Sequence, residues 1–349
     1  MNETMYEEIM DQPIAIKESL PILREQLLES KISLTTTENI IFSGSGDSFF
    51  AGQSLVFAGN KLTQKNFQVL PSQEALSYWS FTKRDLFVPI SISGETKRTI
   101  LAAQKAKKDG AFVLAITTNI DSSLAKVSDE VLVIPFKSRT RLTPHTTDYL
   151  TTLLAIGVII EKFNGKVIDL FDKLSDLVSE SLEDLSSKCS AIGEKIADRD
   201  IYYFFGVGPN YGTALYGAAK FWEARGIRAL PFELDEVGHG AHLMLQDDDV
   251  VFIPTANGET HNRIVESVKA FKLLGVNSVV ISNKPEDYIN VTIMDYPDVA
   301  EEWSPFLSCL PLQLMCWSIS NTKKFDVLED GRFKSKEIYG NVLKLMRNE

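Results

Sequence analysis

The stretch IIFSGSGDSFFAG, from Ile40 to Gly52, decides the fold, because a similar stretch, YYFFGVGPNYGTA, follows at Tyr202 to Ala214. In each, an apolar run ends at a glycine-rich turn and leads into a segment of helical pattern. The glycine-rich turn, a Gly-Glu-Thr triplet and a glycine before an apolar run recur in the same order, at offsets of 162, 164 and 165 residues. A repeat of this length predicts two domains of one fold, with a site that can form between them.

Short apolar runs alternate with amphipathic stretches in both halves, a pattern that predicts parallel βαβ units. We therefore expect an α/β fold of two tandem, flavodoxin-like, doubly wound parallel sheets with helices on both faces. The predicted strands are Ile40–Ser43, Leu86–Ile90, Phe112–Ile116, Glu130–Pro135, Ile201–Phe205, Val250–Pro254 and Ser278–Ile281. The predicted boundaries are a helical arm at 1–35, a first domain at 36–182, a linker at 183–200 and a second domain at 201–349, whose tail closes the site.

Composition excludes several classes of protein. The 349 residues are 44% hydrophobic and 24% charged, as in ordinary globular proteins. The net charge of −11 argues against non-specific nucleic-acid binding. No apolar run approaches the roughly 18 residues of a membrane span, and the first residues lack the features of a signal peptide. Three cysteines without a CxxC pair indicate reduced thiols, so we expect a cytoplasmic protein that binds neither nucleic acid nor membrane.

The first half carries two candidate phosphate-binding turns. Gly44 to Ser48 follows one predicted strand, and its glycines would let the backbone approach a ligand at a helix start. Ser91, Ser93 and Thr96 follow another predicted strand and offer three hydroxyls. Hydroxyls and helix-start amides can bind a phosphate monoester without Mg²⁺. The alternative is a simple helix cap by Ser93 or Thr96, although a cap does not need three hydroxyls.

The second half carries the candidate acid–base groups. Lys220 and Glu223 are three apart on a predicted helix and share a face, the alternative being a surface ion pair of little consequence. His239 and His242 follow in a glycine-rich, acidic segment. Their HxxH spacing could belong to a metal site, but that needs a third ligand. We expect an acid–base histidine and neither a metal nor a cofactor.

These residues resemble the sugar isomerase (SIS) domain family, and most closely the tandem isomerase half of glucosamine-6-phosphate synthases. The resemblance extends from about Tyr6 to Lys336. It rests on Ser45-Gly46-Asp47-Ser48, on Ser91 to Thr96, where Ile92 replaces a glutamine, on Gly217-Ala218-Ala219-Lys220 with Glu223, on Glu233 to Gly240, and on Pro311-Leu312-Gln313-Leu314.

The resemblance implies roles for individual residues. Glu223 would move the proton between C1 and C2 of an open sugar, His239 would open the ring from the neighbouring subunit, and Lys336, or else Lys334, would close the site. The phosphate would be held by Ser45, Ser48, Ser91, Ser93 and Thr96, and other substrate contacts would come from Gly46, Asp47, Thr143 and Lys220. A homodimer with composite sites is therefore expected.

The resemblance also implies an activity. No glutaminase-like sequence precedes the isomerase half, so ammonia production from glutamine is not expected. Stand-alone relatives include glucosamine-6-phosphate deaminases, deglycases of amine-linked sugar phosphates, and plain aldose–ketose isomerases. We expect a metal-independent glucosamine-6-phosphate deaminase/isomerase, with a fructosamine-type deglycase or a simple isomerase as alternatives. A non-catalytic sugar-phosphate sensor is disfavoured, because an acidic arm of about 35 residues cannot house a helix-turn-helix output module.

Overall fold

The computed structural model describes residues 2–139, 144–324 and 336–347. Within these ranges the chain forms two compact units that do not follow one another simply along the sequence. The first unit contains residues 14–138, 147–173 and the last helix. The second contains residues 2–13, 139, 144–146 and 174–324. Each unit is built on one five-stranded parallel sheet.

The sheet of the first unit has the strand order β2-β1-β3-β4-β5. Its central strands are apolar along nearly their whole length, as expected of a parallel sheet covered on both faces. The strand order reverses between β1 and β3, so the turns after these two strands flank a crevice at the carboxyl edge. The strands are β1 (Asn39–Gly44), β2 (Asn66–Pro71), β3 (Asp85–Pro89), β4 (Phe112–Thr117) and β5 (Glu130–Val133).

The sheet of the second unit repeats this topology. Its order β10-β9-β8-β6-β7, read from the opposite edge, is the order of the first sheet, with the reversal between β6 and β8. The prediction of two doubly wound parallel sheets is thus confirmed. The strands are β6 (Ile201–Gly206), β7 (Arg228–Glu233), β8 (Val250–Pro254), β9 (Asn277–Ser282) and β10 (Thr292–Asp295).

Helices connect the strands and surround the sheets. Gly46 and Gly208, which precede α2 and α8, share φ of 57° and ψ of −130° and −131°. Only glycine adopts these angles readily, so the repeated glycines of the sequence have one backbone role. The helices are α1 (Asn2–Glu29), α2 (Asp47–Leu62), α3 (Ser72–Ser77), α4 (Lys97–Asp109), α5 (Ser123–Val127), α6 (Thr147–Asn164), α7 (Asp169–Ile196), α8 (Pro209–Arg225), α9 (His261–Leu273), α10 (Pro305–Thr322) and α11 (Lys336–Arg347).

Each sheet has its own hydrophobic core. In the first unit, Phe87 and Val113 of the sheet pack with the alanine face of α4. In the second unit, Phe205 and Val251 pack with Phe271 of α9. In each unit the helices thus pack firmly on the sheet. The loops at the carboxyl edge, which join strands to helices, are therefore held in place at both ends.

The boundaries predicted from sequence differ from this grouping of the chain. The stretch 183–200, expected to be a linker, is helical as far as Ile196 as part of α7. The expected arm is divided, because α1 contributes residues 2–13 to the second unit and its remainder to the first. Among the described residues, no helix combines the length and the apolar character needed to cross a membrane.

Candidate functional site

The two predicted phosphate turns of the first unit follow neighbouring strands. β1 and β3 pair in parallel, with Ser43 opposite Pro89 at their carboxyl ends. Ser45 to Ser48 follows β1 and leads into α2, and Ser91 to Thr96 follows β3 and leads into α4. The topology therefore brings both turns to the switch point of the sheet, where α/β proteins of this type bind ligands.

Hydroxyl groups organise the turn between β3 and α4. The Ser91 Oγ lies 2.9 Å from the Thr96 Oγ1 and accepts a hydrogen bond from the Gly94 amide at 3.1 Å. The Ser93 Oγ accepts a hydrogen bond from the Glu95 amide at 3.2 Å. Gly94 has φ of +70°, and a Cβ there would lie 2.1 Å from the Ser122 Oγ. This close approach requires glycine and gives the turn a fixed shape.

Exposure divides the predicted phosphate ligands into two kinds. Ser48 and Ser91 are buried, whereas Ser45 and Ser93 are exposed to solvent. Thr96 is the N-cap residue of α4 but makes no side-chain capping hydrogen bond. The helix-cap alternative therefore does not account for its hydroxyl. The turn presents hydroxyls and amides next to a helix start, an arrangement that suits an anion.

The predicted acid–base pair lies on α8 in the second unit. The Lys220 side chain is fully buried, and its Nζ lies 2.6 Å from the Glu223 Oε2, while the Glu223 side chain is 43% exposed. The Lys220 ammonium also donates to the His145 carbonyl oxygen at 3.3 Å and lies 5.0 Å from the Tyr216 ring centroid. A buried cation with these partners fixes the position of a carboxylate that is itself partly exposed to solvent.

A buried hydrogen-bond network behind this pair was not predicted from sequence. The Tyr216 hydroxyl donates to the same His145 carbonyl at 3.3 Å and accepts from Gln313 Nε2 at 3.0 Å. Gln313 in turn exchanges side-chain hydrogen bonds with Gln12 of α1, at 2.8 and 3.1 Å. Both glutamines and the tyrosine are buried. The sequence signal was limited to Gln313, a polar residue inside the apolar helix α10.

The segment that carries His239 is partly ordered by its own contacts. It forms two short 3-10 turns, Asp235–His239 and Ala241–Met244. Leu234 and Val237 anchor it in the core of the second unit. His239 itself is exposed, and the Nδ1 of His242 lies 3.0 Å from the Val237 carbonyl oxygen. A carbonyl oxygen only accepts, so this nitrogen carries its proton.

The side chains of three residues considered for the site are not described. Thr143 lies outside the described residues, as does Lys334, the alternative to Lys336. Lys336 is the first residue of α11, and only its backbone is described. Their roles remain predictions from the resemblance.

The fold and these turns define the chain as a tandem, doubly wound α/β protein with matching carboxyl-edge turns in its two repeats. A model of the SIS domain matches residues 33–162 and 195–318, and the chain therefore belongs to the SIS domain family. The two matched segments correspond to the two repeats of the sequence.

Individual proteins of known description are also similar to the chain. A glutamine–fructose-6-phosphate aminotransferase (isomerizing) from Thermococcus kodakarensis is 27% identical over 333 residues, which are 90% of this chain and 54% of the relative. The chain thus spans about half the length of the curated relatives it matches.

Solved structures show the same fold. The C-terminal domain of the glucosamine-fructose-6-phosphate aminotransferase from Francisella tularensis has a TM-score of 0.82 and 22% identity, with 93% of this chain and 97% of that chain covered. A glucosamine-6-phosphate deaminase from Thermotoga maritima has a TM-score of 0.76 and 21% identity, with 94% and 98% covered.

Proposed function

We propose that this protein is an enzyme that processes an amino-sugar 6-phosphate by proton transfer between C1 and C2, as a glucosamine-6-phosphate deaminase/isomerase. The observation that carries the proposal is the Lys220–Glu223 pair, in which a half-exposed carboxylate is held at 2.6 Å by a fully buried ammonium. A structural ion pair on a helix surface is usually exposed at both ends. Here the carboxylate is held in orientation by a buried cation and is still partly exposed to solvent.

The chemistry needs few groups. The hydroxyls of Ser91 and Ser93, together with the amides at the start of α4, would anchor the phosphate and so fix the position of the sugar carbons. A single carboxylate can serve both C1 and C2, since the two carbons are adjacent. Glu223 would remove the proton from one carbon and return it to the other, with the Lys220 ammonium stabilising its charge.

The same proton transfer also leads to loss of the amine. Proton removal from C1 and return to C2 convert the ketose to the aldose, and the transfer from C2 to C1 is the reverse step that an amino sugar undergoes. With an amino group at C2, the enolamine tautomerises to an imine, water adds at C2, and the C2–N bond breaks. Glucosamine 6-phosphate and water then give fructose 6-phosphate and ammonia. The Thermotoga protein described as a glucosamine-6-phosphate deaminase, which shares this fold over 94% of the chain, supports this choice.

The proposal is tested by incubating the pure protein with glucosamine 6-phosphate and measuring ammonia and fructose 6-phosphate together. Equal amounts of the two products, formed in proportion to enzyme, are expected. Fructose 6-phosphate as substrate, without ammonia, serves as the control for plain isomerisation. Turnover of a sugar phosphate without ammonia release from glucosamine 6-phosphate would contradict the deaminase and leave an isomerase.

Ser93→Ala is expected to weaken the binding of fructose 6-phosphate by about tenfold or more. A hydrogen bond to a charged group contributes about 1.5–3 kcal/mol, and the exposed hydroxyl of Ser93 is available for one. Isothermal titration calorimetry measures the change, and binding of inorganic phosphate should weaken in parallel. Asn257→Ala, at the corresponding turn of the second repeat, is the matched control and should bind normally. An equal loss in both variants would argue against a phosphate site in the first repeat.

Activity is expected to survive exhaustive treatment with EDTA. The proposed proton transfer uses a carboxylate and an ammonium, and the Nδ1 of His242 is engaged with the Val237 carbonyl oxygen. The measurement is ammonia release before and after dialysis against the chelator, with metal content followed by mass spectrometry. Inactivation that Zn²⁺ or Mn²⁺ specifically reverses would instead favour the HxxH metal site.

A further inference from the structure

The second repeat contains a turn that corresponds to the proposed phosphate turn of the first. Gly258-Glu259-Thr260 lies between β8 and α9, as Gly94-Glu95-Thr96 lies between β3 and α4. β8 and β3 occupy the same place in their sheets, next to the strand at which the chain order reverses. The two turns are therefore equivalent in sequence and in topology, and their hydrogen bonds can be compared directly.

In the second repeat, a carboxylate of the chain itself fills the turn. The Glu301 Oε2 accepts a hydrogen bond from the Glu259 amide at 2.9 Å, and the Glu301 Oε1 accepts one from the Thr260 hydroxyl at 3.3 Å. A Cβ on Gly258 would lie only 2.2 Å from the Glu301 Cδ. Only glycine at position 258 leaves room for the carboxylate. Its two oxygens accept hydrogen bonds from an amide and a hydroxyl at the start of α9, as the oxygens of a bound oxyanion would.

In the first repeat, the same groups have neutral partners. The Glu95 amide donates to the Ser93 Oγ at 3.2 Å, and the Thr96 Oγ1 lies 2.9 Å from the Ser91 Oγ. Glu301 stands four residues before the first residue of α10, and the residue at that count before α6 is the uncharged Thr143. The amide and the hydroxyl shared by the two turns therefore bind a carboxylate in the second repeat and serine hydroxyls in the first.

The first residue of α9 carries a buried polar atom whose hydrogen-bonding capacity is not fully used. The side chain of His261, the first residue of this helix, is 7% exposed, and its Nε2 lies 2.7 Å from the Asp287 Oδ2. Its Nδ1 is buried and has no hydrogen-bond partner in the part of the chain that the structure describes. Buried polar atoms normally find a partner in the protein or in a bound water or ion.

We infer that Glu301 is a built-in anion that occupies the second repeat's phosphate turn and so restricts phosphosugar binding to the first repeat. A phosphate dianion bound to the same amide and hydroxyl would lie in contact with the Glu301 carboxylate, and the repulsion between the two negative charges would be large. Phosphate is therefore excluded from the turn while Glu301 is in place. The inference rests on the proposed function in assigning the phosphate to the first repeat. It explains why a chain with two equivalent turns would bind one phosphosugar.

The test uses Glu301→Ala and inorganic phosphate as the probe, with binding stoichiometry measured by equilibrium dialysis of radiolabelled phosphate. The variant is expected to bind one more phosphate per chain than the wild type. Thr260→Val in the same chain should abolish the additional site, because the turn then loses its hydroxyl donor. Glu286→Ala removes an exposed acid near the same edge and is the matched control for net charge. It should bind phosphate as the wild type does.

A second variant and a second measurement keep the inference testable if Glu301→Ala does not fold. Glu301→Gln keeps the length of the side chain and removes the charge, and it should gain the same site at lower affinity. Phosphate should raise the Tm of either variant more than it raises that of Glu286→Ala at equal ionic strength. Unchanged stoichiometry and an unchanged Tm response in both variants would overturn the inference.

The outcomes separate this inference from the proposed function. If the wild type binds no phosphate and Glu301→Ala binds one, Glu301 is the built-in anion and the phosphate site of the first repeat is wrong. If the wild type binds one and Glu301→Ala still binds one, the phosphate site stands and the role of Glu301 is wrong.

Discussion

Glu223→Gln is expected to lower the turnover of glucosamine 6-phosphate by roughly 10²-fold or more, because removal of a general base typically costs that much. The amide keeps the shape of the side chain and an oxygen that can still accept from Lys220, so α8 should remain folded and the substrate should still bind. Steady-state kinetics should show the loss in kcat with little change in KM, and titration calorimetry should confirm that fructose 6-phosphate binds with near wild-type affinity.

Glu194→Gln is the matched control, since it makes the same substitution at an exposed acid of α7 in the same unit. Its kinetics should equal those of the wild type. Near-normal turnover of Glu223→Gln would remove Glu223 from the mechanism. Loss of both turnover and binding would instead assign it a role in holding the substrate.

Mixing Glu223→Gln with His239→Ala protomers is expected to restore about a quarter of wild-type activity. We propose a homodimer in which each site takes its histidine from the partner subunit, in line with the exposed position of His239 on its 3-10 turn. Random reassortment makes about half of the dimers mixed, and each mixed dimer has one intact site out of two. The activity should rise from a background of about 1% or less, which a 10²-fold loss of turnover sets.

The measurement is ammonia release after the two variants are unfolded together and refolded. Subunit exchange is verified separately with one tagged and one untagged protomer. A mixture of Glu223→Gln with the double variant Glu223→Gln/His239→Ala is the control and should stay inactive. If exchange is verified and no activity returns, Glu223 and His239 act within one protomer.

The interior of each sheet was predictable from sequence, whereas most of its edges were not. Strands such as β1, β3 and β8 are continuous apolar runs because both of their faces are buried. The strands missed by the sequence analysis, β2, β7 and β10, all lie at sheet edges. β2 and β7 contain a proline, which an edge strand tolerates, and their residues are mostly half-buried. Their apolar pattern is therefore too weak to identify them.

The candidate site was likewise predictable from sequence only in part. Glycines and hydroxyls that recur between two parts of one sequence are visible as a pattern, and the structure brings the turns of the first repeat to adjacent strand ends. The network from Lys220 to Gln12 could not be predicted, since it joins residues from distant parts of the chain. The division of α1 between the two units could not be predicted either, because it depends on which distant residues each part of the helix packs against.

The bond between Gln12 and Gln313 spans 301 residues of chain, which has a consequence for the order of events on the ribosome. Translation proceeds at about 5–20 residues per second, so the first turns of α1 are made about 15 to 60 s before their partner in α10. During that interval the Gln12 side chain lacks its Gln313 partner, and the second unit lacks the helix α10. The first turns of α1 therefore reach their final place in the second unit only after α10 has been synthesised.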